Sequence, residues 1–214
     1  MTRALALSLL LGALFAVSLS SAQPAESPVK LDVLLSAFAQ MKGLEGAFVE
    51  EKRLQLLKAP LLSRGRLYFS PPGYLLRRVE SPQVSSVLIT PKALTVDDGM
   101  NRQVIDLQAR RDVRSFVGSF VSLLAGDKDA LTSAYRIRVT EGRAGHWRME
   151  LTPKASPLAD IIRQVRVSGT GLAVDEIHVF DTNGDETITR MLDVDPNRSF
   201  DAAERKALFG IDGP

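Results

Sequence analysis

The sequence predicts a mainly β protein with some α-helix, built as an incomplete antiparallel β-barrel of about 11 strands covered by a helical lid. Two observations carry this prediction. Short β-branched or aromatic runs, separated by turn residues, make up most of the chain, and a few stretches instead have apolar residues at helical spacing. A sheet of that many strands is expected to curl, because each strand rotates by about 20 to 25° against its neighbour.

The N-terminus is typical of a secretory signal peptide. Arg3 precedes an apolar run that ends at Leu19, and small residues follow up to Ala22. We therefore expect residues 1–22 to be a cleaved signal peptide, residues 23–30 a flexible segment, and residues 31–214 a single domain. No later stretch reaches the roughly 20 apolar residues of a membrane span, so the exported protein is expected to be soluble.

Three helices are predicted. Apolar residues recur three and four positions apart over Leu31–Met41 and Val113–Leu124, and the stop signals Gly43 and Gly126 follow. A further short helix is predicted over Asp127–Ser133. The two longer helices each have an apolar face that must be buried against something else.

The remaining apolar runs are strand candidates. In order they are Glu45–Leu54, Gly65–Phe69, Tyr74–Val79, Ser85–Ile89, Ala93–Asp97, Arg102–Asp106, Tyr135–Thr140, His146–Thr152, Asp160–Val167, Val174–Asp181 and Asp185–Asp193. Most connections between them are short and rich in Pro, Gly, Asn and Asp. Such connections join antiparallel neighbours, because a parallel crossover needs a dozen or more residues.

A hydrophobic cavity is expected on the concave side of the curled sheet. The predicted helices are its natural cover, and there are too few of them to fill all the concave apolar surface. The candidate lining residues are apolar side chains of the strands and of the middle helix: Phe48, Leu67, Phe69, Leu75, Leu88, Phe116, Phe120 and Leu123.

The composition speaks against most enzyme classes. The chain has no cysteine, and neither of its two histidines, His146 and His178, lies in a zinc motif. No serine lies in a nucleophile-elbow pattern. We therefore expect no enzymatic activity, no catalytic residues, no metal and no cofactor; a hydrolase stays an alternative that an esterase assay would test.

The basic residues leave two interpretations open. The formal net charge is only +2, which gives weak grounds for a nucleic-acid partner. Four basic groups nevertheless occur, namely Lys52-Arg53, Arg64-Gly65-Arg66, Arg77-Arg78 and Arg110-Arg111. They are either solvated strand residues or a docking surface for a membrane or an acidic partner.

Several segments resemble a known family. They are Gly43–Phe48 with the polar Glu50-Glu51-Lys52, Gly65–Phe69 leading through Pro72 to Tyr74-Leu75-Leu76, and Leu151-Thr152-Pro153-Lys154. In these segments the chain resembles the LolA family of periplasmic carriers, which move lipoproteins from the inner to the outer membrane. The resemblance covers nearly the whole chain after the predicted signal peptide.

The resemblance implies a monomeric, non-enzymatic carrier in the periplasm. An acyl chain of an acylated lipoprotein would lie between the sheet and the helical lid. An inner-membrane transporter of the ABC or RND type would hand over this cargo, and an outer-membrane acceptor lipoprotein would receive it. No nucleic acid would take part.

Three departures from the family pattern indicate a divergent branch. Pro71 stands where the family has the arginine that latches its lid, and Leu75 stands where it has a phenylalanine. The segment Lys58–Arg64 also has no counterpart in the family pattern. In such a branch the cargo would be another lipid or a lipid-linked pigment, for example a glycolipid or a polyene lipid. A further alternative is a lipid-sensing domain similar to those of envelope-stress regulators.

Overall fold

The computed structural model describes residues 31–211, without the side chains of Arg111, Asp112 and Phe116. The predicted signal peptide and the predicted flexible segment lie outside the described residues. The strands are β1 (Leu44–Arg53), β2 (Leu61–Ser70), β3 (Tyr74–Ser81), β4 (Ser85–Ile89), β5 (Ala93–Asp97), β6 (Arg102–Asp106), β7 (Tyr135–Glu141), β8 (His146–Pro153), β9 (Ile162–Thr170), β10 (Ala173–Asp181) and β11 (Glu186–Asp195). The helices are α1 (Leu31–Ala39), α2 (Arg111–Leu124), α3 (Lys128–Ala134), α4 (Leu158–Ile161) and α5 (Ala202–Phe209), and a 3₁₀ turn spans Arg143–Gly145.

All 11 strands form one open antiparallel sheet, which confirms the predicted fold class. The order is β6-β5-β4-β3-β2-β1-β11-β10-β9-β8-β7, so the sheet consists of two meanders joined where β1 pairs with β11. In this central pair Phe48 lies opposite Met191 and Glu50 lies opposite Thr189. The edge strands β6 and β7 belong to different meanders, and the sheet is not closed between them.

The main core lies between the concave face of the sheet and helices α1 and α2. Phe38 of α1 is almost completely buried, and its ring meets the Trp147 ring of β8 edge-on with centroids 5.7 Å apart. Gly126, just after α2, packs directly on α1 with φ of +66°. A Cβ on this glycine would lie 2.6 Å from the backbone nitrogen of Ala39, so a larger residue does not fit there.

Helix α5 covers the convex face, and the strand and helix patterns do not predict it. Phe209 of α5 is buried with Tyr68 and Leu76 of the sheet. The local signals for this helix are nonetheless present in the sequence. Asp201 and Glu204 form a capping box, and Gly210 ends the helix in the left-handed conformation.

Two predicted strand starts differ from the structure by two or more residues. Strand β2 begins at Leu61, four residues before the predicted start at Gly65, which makes the β1–β2 hairpin longer than expected. Strand β9 begins at Ile162 instead of Asp160, because Leu158–Ile161 form the short helix α4.

The antiparallel order places five connections at one end of the sheet. They join β1 to β2, β3 to β4, β5 to β6, β8 to β9 through helix α4, and β10 to β11. We call this the open end. Helix α1 packs at the opposite end, where Trp147 lies near the start of β8.

Candidate functional site

A cavity of about 440 Å³ lies between the concave face of the sheet and helix α2. Its apolar wall is formed by Leu44, Phe48, Leu67, Leu75, Val87, Ile89, Val117, Phe120, Leu123, Leu124, Ile161, Ile162, Val174, Ile177, Val179 and Met191. Six polar residues complete the lining: Glu50, Lys52, Arg77, Asp181, Thr187 and Thr189. The wall is thus apolar over most of its length, as expected of a site for a hydrophobic ligand.

Five of the eight candidate lining residues meet in this cavity: Phe48, Leu67, Leu75, Phe120 and Leu123. Phe69 is on the concave face but is completely buried in the core, where it does not line the cavity. The side chain of Phe116 lies outside the described part of the chain.

The placement predicted for Leu88 is wrong. Its neighbours Val87 and Ile89 line the cavity, whereas Leu88 packs on the convex face beside the cluster of Tyr68, Leu76 and Phe209. Side chains of a strand alternate between the two faces, so an assignment shifted by one residue selects the wrong face. Strand β4 is apolar on both faces, and its sequence alone does not distinguish them.

The prediction missed the lining residues contributed by the second meander. Ile177 and Val179 of β10 and Met191 of β11 reach the cavity because β11 pairs with β1. The alternation of apolar residues at 177 and 179 is visible in the sequence. The pairing of the first and last strands, which brings this face to the cavity, involves residues about 140 positions apart and leaves no local signal.

An ion pair lines one side of the cavity. The Arg77 Nη2 atom donates a hydrogen bond of 2.8 Å to Oε1 of Glu50, and the Thr189 hydroxyl donates one of 3.0 Å to the other carboxylate oxygen. The Arg77 guanidinium also lies 4.5 Å above the Phe48 ring centroid, a cation–π contact. The Arg77 side chain keeps 29% of its surface exposed and Glu50 keeps 18%, so both charges remain accessible from the cavity.

A second polar group lies further toward the open end. Lys52 lies opposite Thr187 in the β1–β11 pair, and Asp181 ends β10, so both come from strand ends near the open end. Burial raises the pKa of Asp181. The positive charge of Lys52 lowers this pKa, and the negative charge of Asp185 raises it further. The cavity therefore has an apolar part under α2 and a polar part near the open end.

Helix α2 contacts the sheet at Tyr135 and at the turn before β3. Burial raises the pKa of Tyr135 at the start of β7, and the nearby Ser119 of α2 acts in the opposite direction. The Ser119 hydroxyl itself donates a 2.9 Å hydrogen bond to the Ser115 carbonyl oxygen within the helix. Val121 packs against Gly73, which lies next to the Pro71-Pro72 turn. The contact between helix α2 and this turn is therefore apolar.

The two histidines lie outside the cavity. His146 is hydrogen-bonded to Thr170 at 2.8 Å, and His178 contacts Glu186 at 3.1 Å while stacking on Phe180. Among residues 31–211 no three carboxylate or histidine side chains gather as they would around a metal ion. Within the same part of the chain, no helix is long and apolar enough to cross a membrane.

The model of one protein family, described as outer membrane lipoprotein carrier protein LolA-like, matches residues 22–205. The chain belongs to this LolA-like family. The match extends over both meanders and the lid helices, that is, over the whole cavity. No curated protein sequence matches this LolA-like chain significantly.

Several solved structures are similar to this chain at low sequence identity. A LolA superfamily protein from Nitrosomonas europaea has 11% identity and a TM-score of 0.43, with 81% of this chain and 96% of that chain covered. A putative outer membrane lipoprotein-sorting protein domain from Vibrio parahaemolyticus has 12% identity and a TM-score of 0.45, with 82% and 94% covered. The MucA/MucB complex of Pseudomonas aeruginosa gives 12% identity and a TM-score of 0.47, with 81% and 59% covered.

Proposed function

We propose that this protein is a non-enzymatic periplasmic carrier that holds an acyl chain of a lipid cargo in its cavity. The observation that carries the proposal is the apolar cavity of about 440 Å³ between the sheet and helix α2. Membership of the LolA-like family supports a carrier role. The cavity wall offers hydrophobic burial and one ion pair, and the two histidines lie elsewhere, which favours binding over catalysis.

The cavity has the capacity for one long acyl chain. A volume of about 440 Å³ accommodates about 15 methylene groups, if each takes up about the 30 Å³ that a water molecule of similar size occupies in the liquid. Burial of each methylene contributes about 0.8 kcal/mol, which sets an upper limit of about 12 kcal/mol for such a chain. Association costs reduce this value, but a stable complex remains feasible.

The polar lining gives the cargo a preferred direction. The methyl end of an acyl chain fits the apolar part under Phe120 and Leu123, and the polar head then lies near Arg77 and Lys52. A guanidinium offers five N–H donors, and Arg77 uses only one of them, toward Glu50, among the described residues. The remaining donors suit a carbonyl, hydroxyl or acidic oxygen of the head group.

The family description names a lipoprotein carrier, which supports an acylated lipoprotein as the cargo. The donor and acceptor that we propose are an inner-membrane ABC-type or RND-type transporter and an outer-membrane acceptor lipoprotein. The lid turn at Pro71 and the aliphatic Leu75 favour the alternative of a glycolipid or polyene lipid. Both cargoes present an acyl-like chain to the same cavity.

A charge placed in the cavity tests the proposal. In the Phe120→Glu variant a carboxylate replaces a ring of the cavity wall, and uptake of a fluorescent diacylglycerol lipopeptide should fall by at least about tenfold, because burying an unpaired charge costs several kcal/mol. The matched control is Leu88→Glu, which places the same charge on the convex face. Unchanged uptake by a folded Phe120→Glu variant would refute the assignment of the cavity.

A further inference from the structure

The open end of the sheet exposes an unusual amount of apolar surface. Of the 11 large apolar side chains that the described residues leave exposed, seven lie there: Leu56, Leu57, Leu61, Leu62, Val84, Met100 and Ile161. The most prominent is Leu56, with 97% of its surface exposed. Scattered exposed leucines are ordinary, but a contiguous group marks an interaction surface.

Four of the seven residues belong to one segment, residues 52–64, which we call the leucine hairpin. It contains the end of β1, the connecting loop and the beginning of β2. It contains no aspartate or glutamate and carries four cations, Lys52, Arg53, Lys58 and Arg64. Lys52 lines the cavity and Arg53 is paired with Glu51, whereas Lys58 and Arg64 are exposed to solvent. Leucines combined with cations on one projecting loop are typical of segments that enter the interface of an anionic membrane.

The leucine hairpin is held next to the polar part of the cavity at the open end, which we call the mouth of the cavity. The Gln55 backbone N–H donates a 2.8 Å hydrogen bond to Oδ1 of Asp185, and its side-chain amide donates one of 2.8 Å to the Gly184 carbonyl oxygen. Both acceptors lie in the β10–β11 turn, directly after Asp181 of the cavity lining. These bonds fix the base of the loop, and beyond them Leu56 and Leu57 project into solvent.

We propose that the leucine hairpin docks this protein onto an anionic phospholipid membrane, with the mouth of the cavity facing the bilayer. The apolar side chains at its tip enter the acyl-chain boundary, and Lys58 and Arg64 contact lipid phosphates. In this orientation the open end and its polar lining face the membrane surface. A lipid can then pass between the bilayer and the cavity over a short, partly apolar path.

The composition of the hairpin favours a membrane over a protein partner. Protein interfaces concentrate Trp, Tyr and Arg at their centres and are depleted in Lys. The tip of the hairpin has none of these aromatic residues, and Leu56, Leu57 and Lys58 follow one another there. Its cations complement the negative surface of a bilayer that contains phosphatidylglycerol.

Vesicle flotation tests the proposal. The wild-type protein should float with vesicles of phosphatidylcholine mixed with phosphatidylglycerol, and much less with phosphatidylcholine alone. The Leu56→Ser/Leu57→Ser variant should bind the mixed vesicles at least about tenfold more weakly, because two leucine side chains no longer leave water. The Lys58→Gln/Arg64→Gln variant should lose about fivefold per charge on mixed vesicles and nothing on neutral ones.

A matched control separates the hairpin from exposed leucine in general. Leu192 on the convex face has 47% of its surface exposed, the same fraction as Leu57, so Leu192→Ser should leave flotation unchanged. Absence of wild-type flotation, or an equal loss in the Leu192→Ser variant, would overturn the proposal. So would a hairpin variant that changes the oligomeric state in light scattering, because the surface would then serve a second copy of the chain.

Uptake of the fluorescent lipopeptide in detergent-free solution, without vesicles, is measured on the same variants. The hairpin variants should keep wild-type uptake, since Leu56 and Leu57 do not line the cavity. Loss of flotation with normal uptake identifies a membrane-docking element. Normal flotation with no uptake in the wild type would instead contradict the proposed carrier function and leave the docking surface in place.

Discussion

A tryptophan at position 177 should shorten the acyl chain that the cavity accepts. Ile177 lines the cavity from β10 and is only partly buried, so a larger side chain there extends into the free space. The indole of an Ile177→Trp variant adds about six non-hydrogen atoms and thus displaces about six methylene-sized groups of a bound chain. A chain that fills the cavity should then lose at most about 5 kcal/mol of hydrophobic burial.

The assay is a chain-length series of fluorescent fatty acids. For the wild type the affinity should rise about fourfold per added methylene until about 15 carbons, where the volume of about 440 Å³ is filled. For Ile177→Trp the increase should stop about six methylenes earlier. The control Leu192→Trp adds the same ring on the convex face and should follow the wild type.

Two results of this series would refute the reasoning. One is an affinity that does not depend on chain length, since the cavity would then not bury the chain. The other is an identical series for the wild type and Ile177→Trp, with both proteins folded, since the acyl chain would then lie somewhere other than against β10.

Three further predictions concern the lid, the sheet and pH. Tyr135→Phe removes a buried hydroxyl that lies beside Ser119 of helix α2, and stopped-flow dequenching should show faster release of a bound fatty acid at a stability cost of about 1 kcal/mol. Gly65→Ala puts a Cβ 1.9 Å from the Arg78 carbonyl oxygen, so urea unfolding should show a loss of more than about 2 kcal/mol. Burial raises the pKa of Asp181, so its contribution to stability is greatest at acidic pH and is lost as the pH rises through that raised pKa. As the pH rises from acidic to neutral, the Asp181→Asn variant should therefore gain stability relative to the wild type. A difference in melting temperature between the two proteins that stays constant over this pH range would contradict the prediction.

Local patterns sufficed for much of the fold. The turns and the alternation of apolar residues indicate each strand, because antiparallel strands with short connections leave their signals in neighbouring residues. The extension of β2 back to Leu61 was missed, because Leu61 and Leu62 are exposed and do not alternate with polar residues. Helix α5 was missed even though its Asp201 capping box and Gly210 are visible, because its apolar face is short.

The cavity was only partly predictable for a different reason. Phe48 and Leu75 were assigned to it from strand character, and the helix face with Phe120 from helical spacing. The face to which Leu88 points depends on register, and the contribution of Ile177 depends on a pairing between distant strands. Register and long-range pairing are fixed by the packing of the whole sheet and do not follow from any short segment.

Native mass spectrometry tests the central claim most directly. The protein, purified without detergent from the cells that produce it naturally, should carry one bound acylated molecule whose chain is close to the capacity of the cavity. Organic extraction would then distinguish an acylated peptide from a glycolipid or polyene lipid. A protein that is empty after this purification, and that also binds no fatty acid when one is added, would contradict the carrier function.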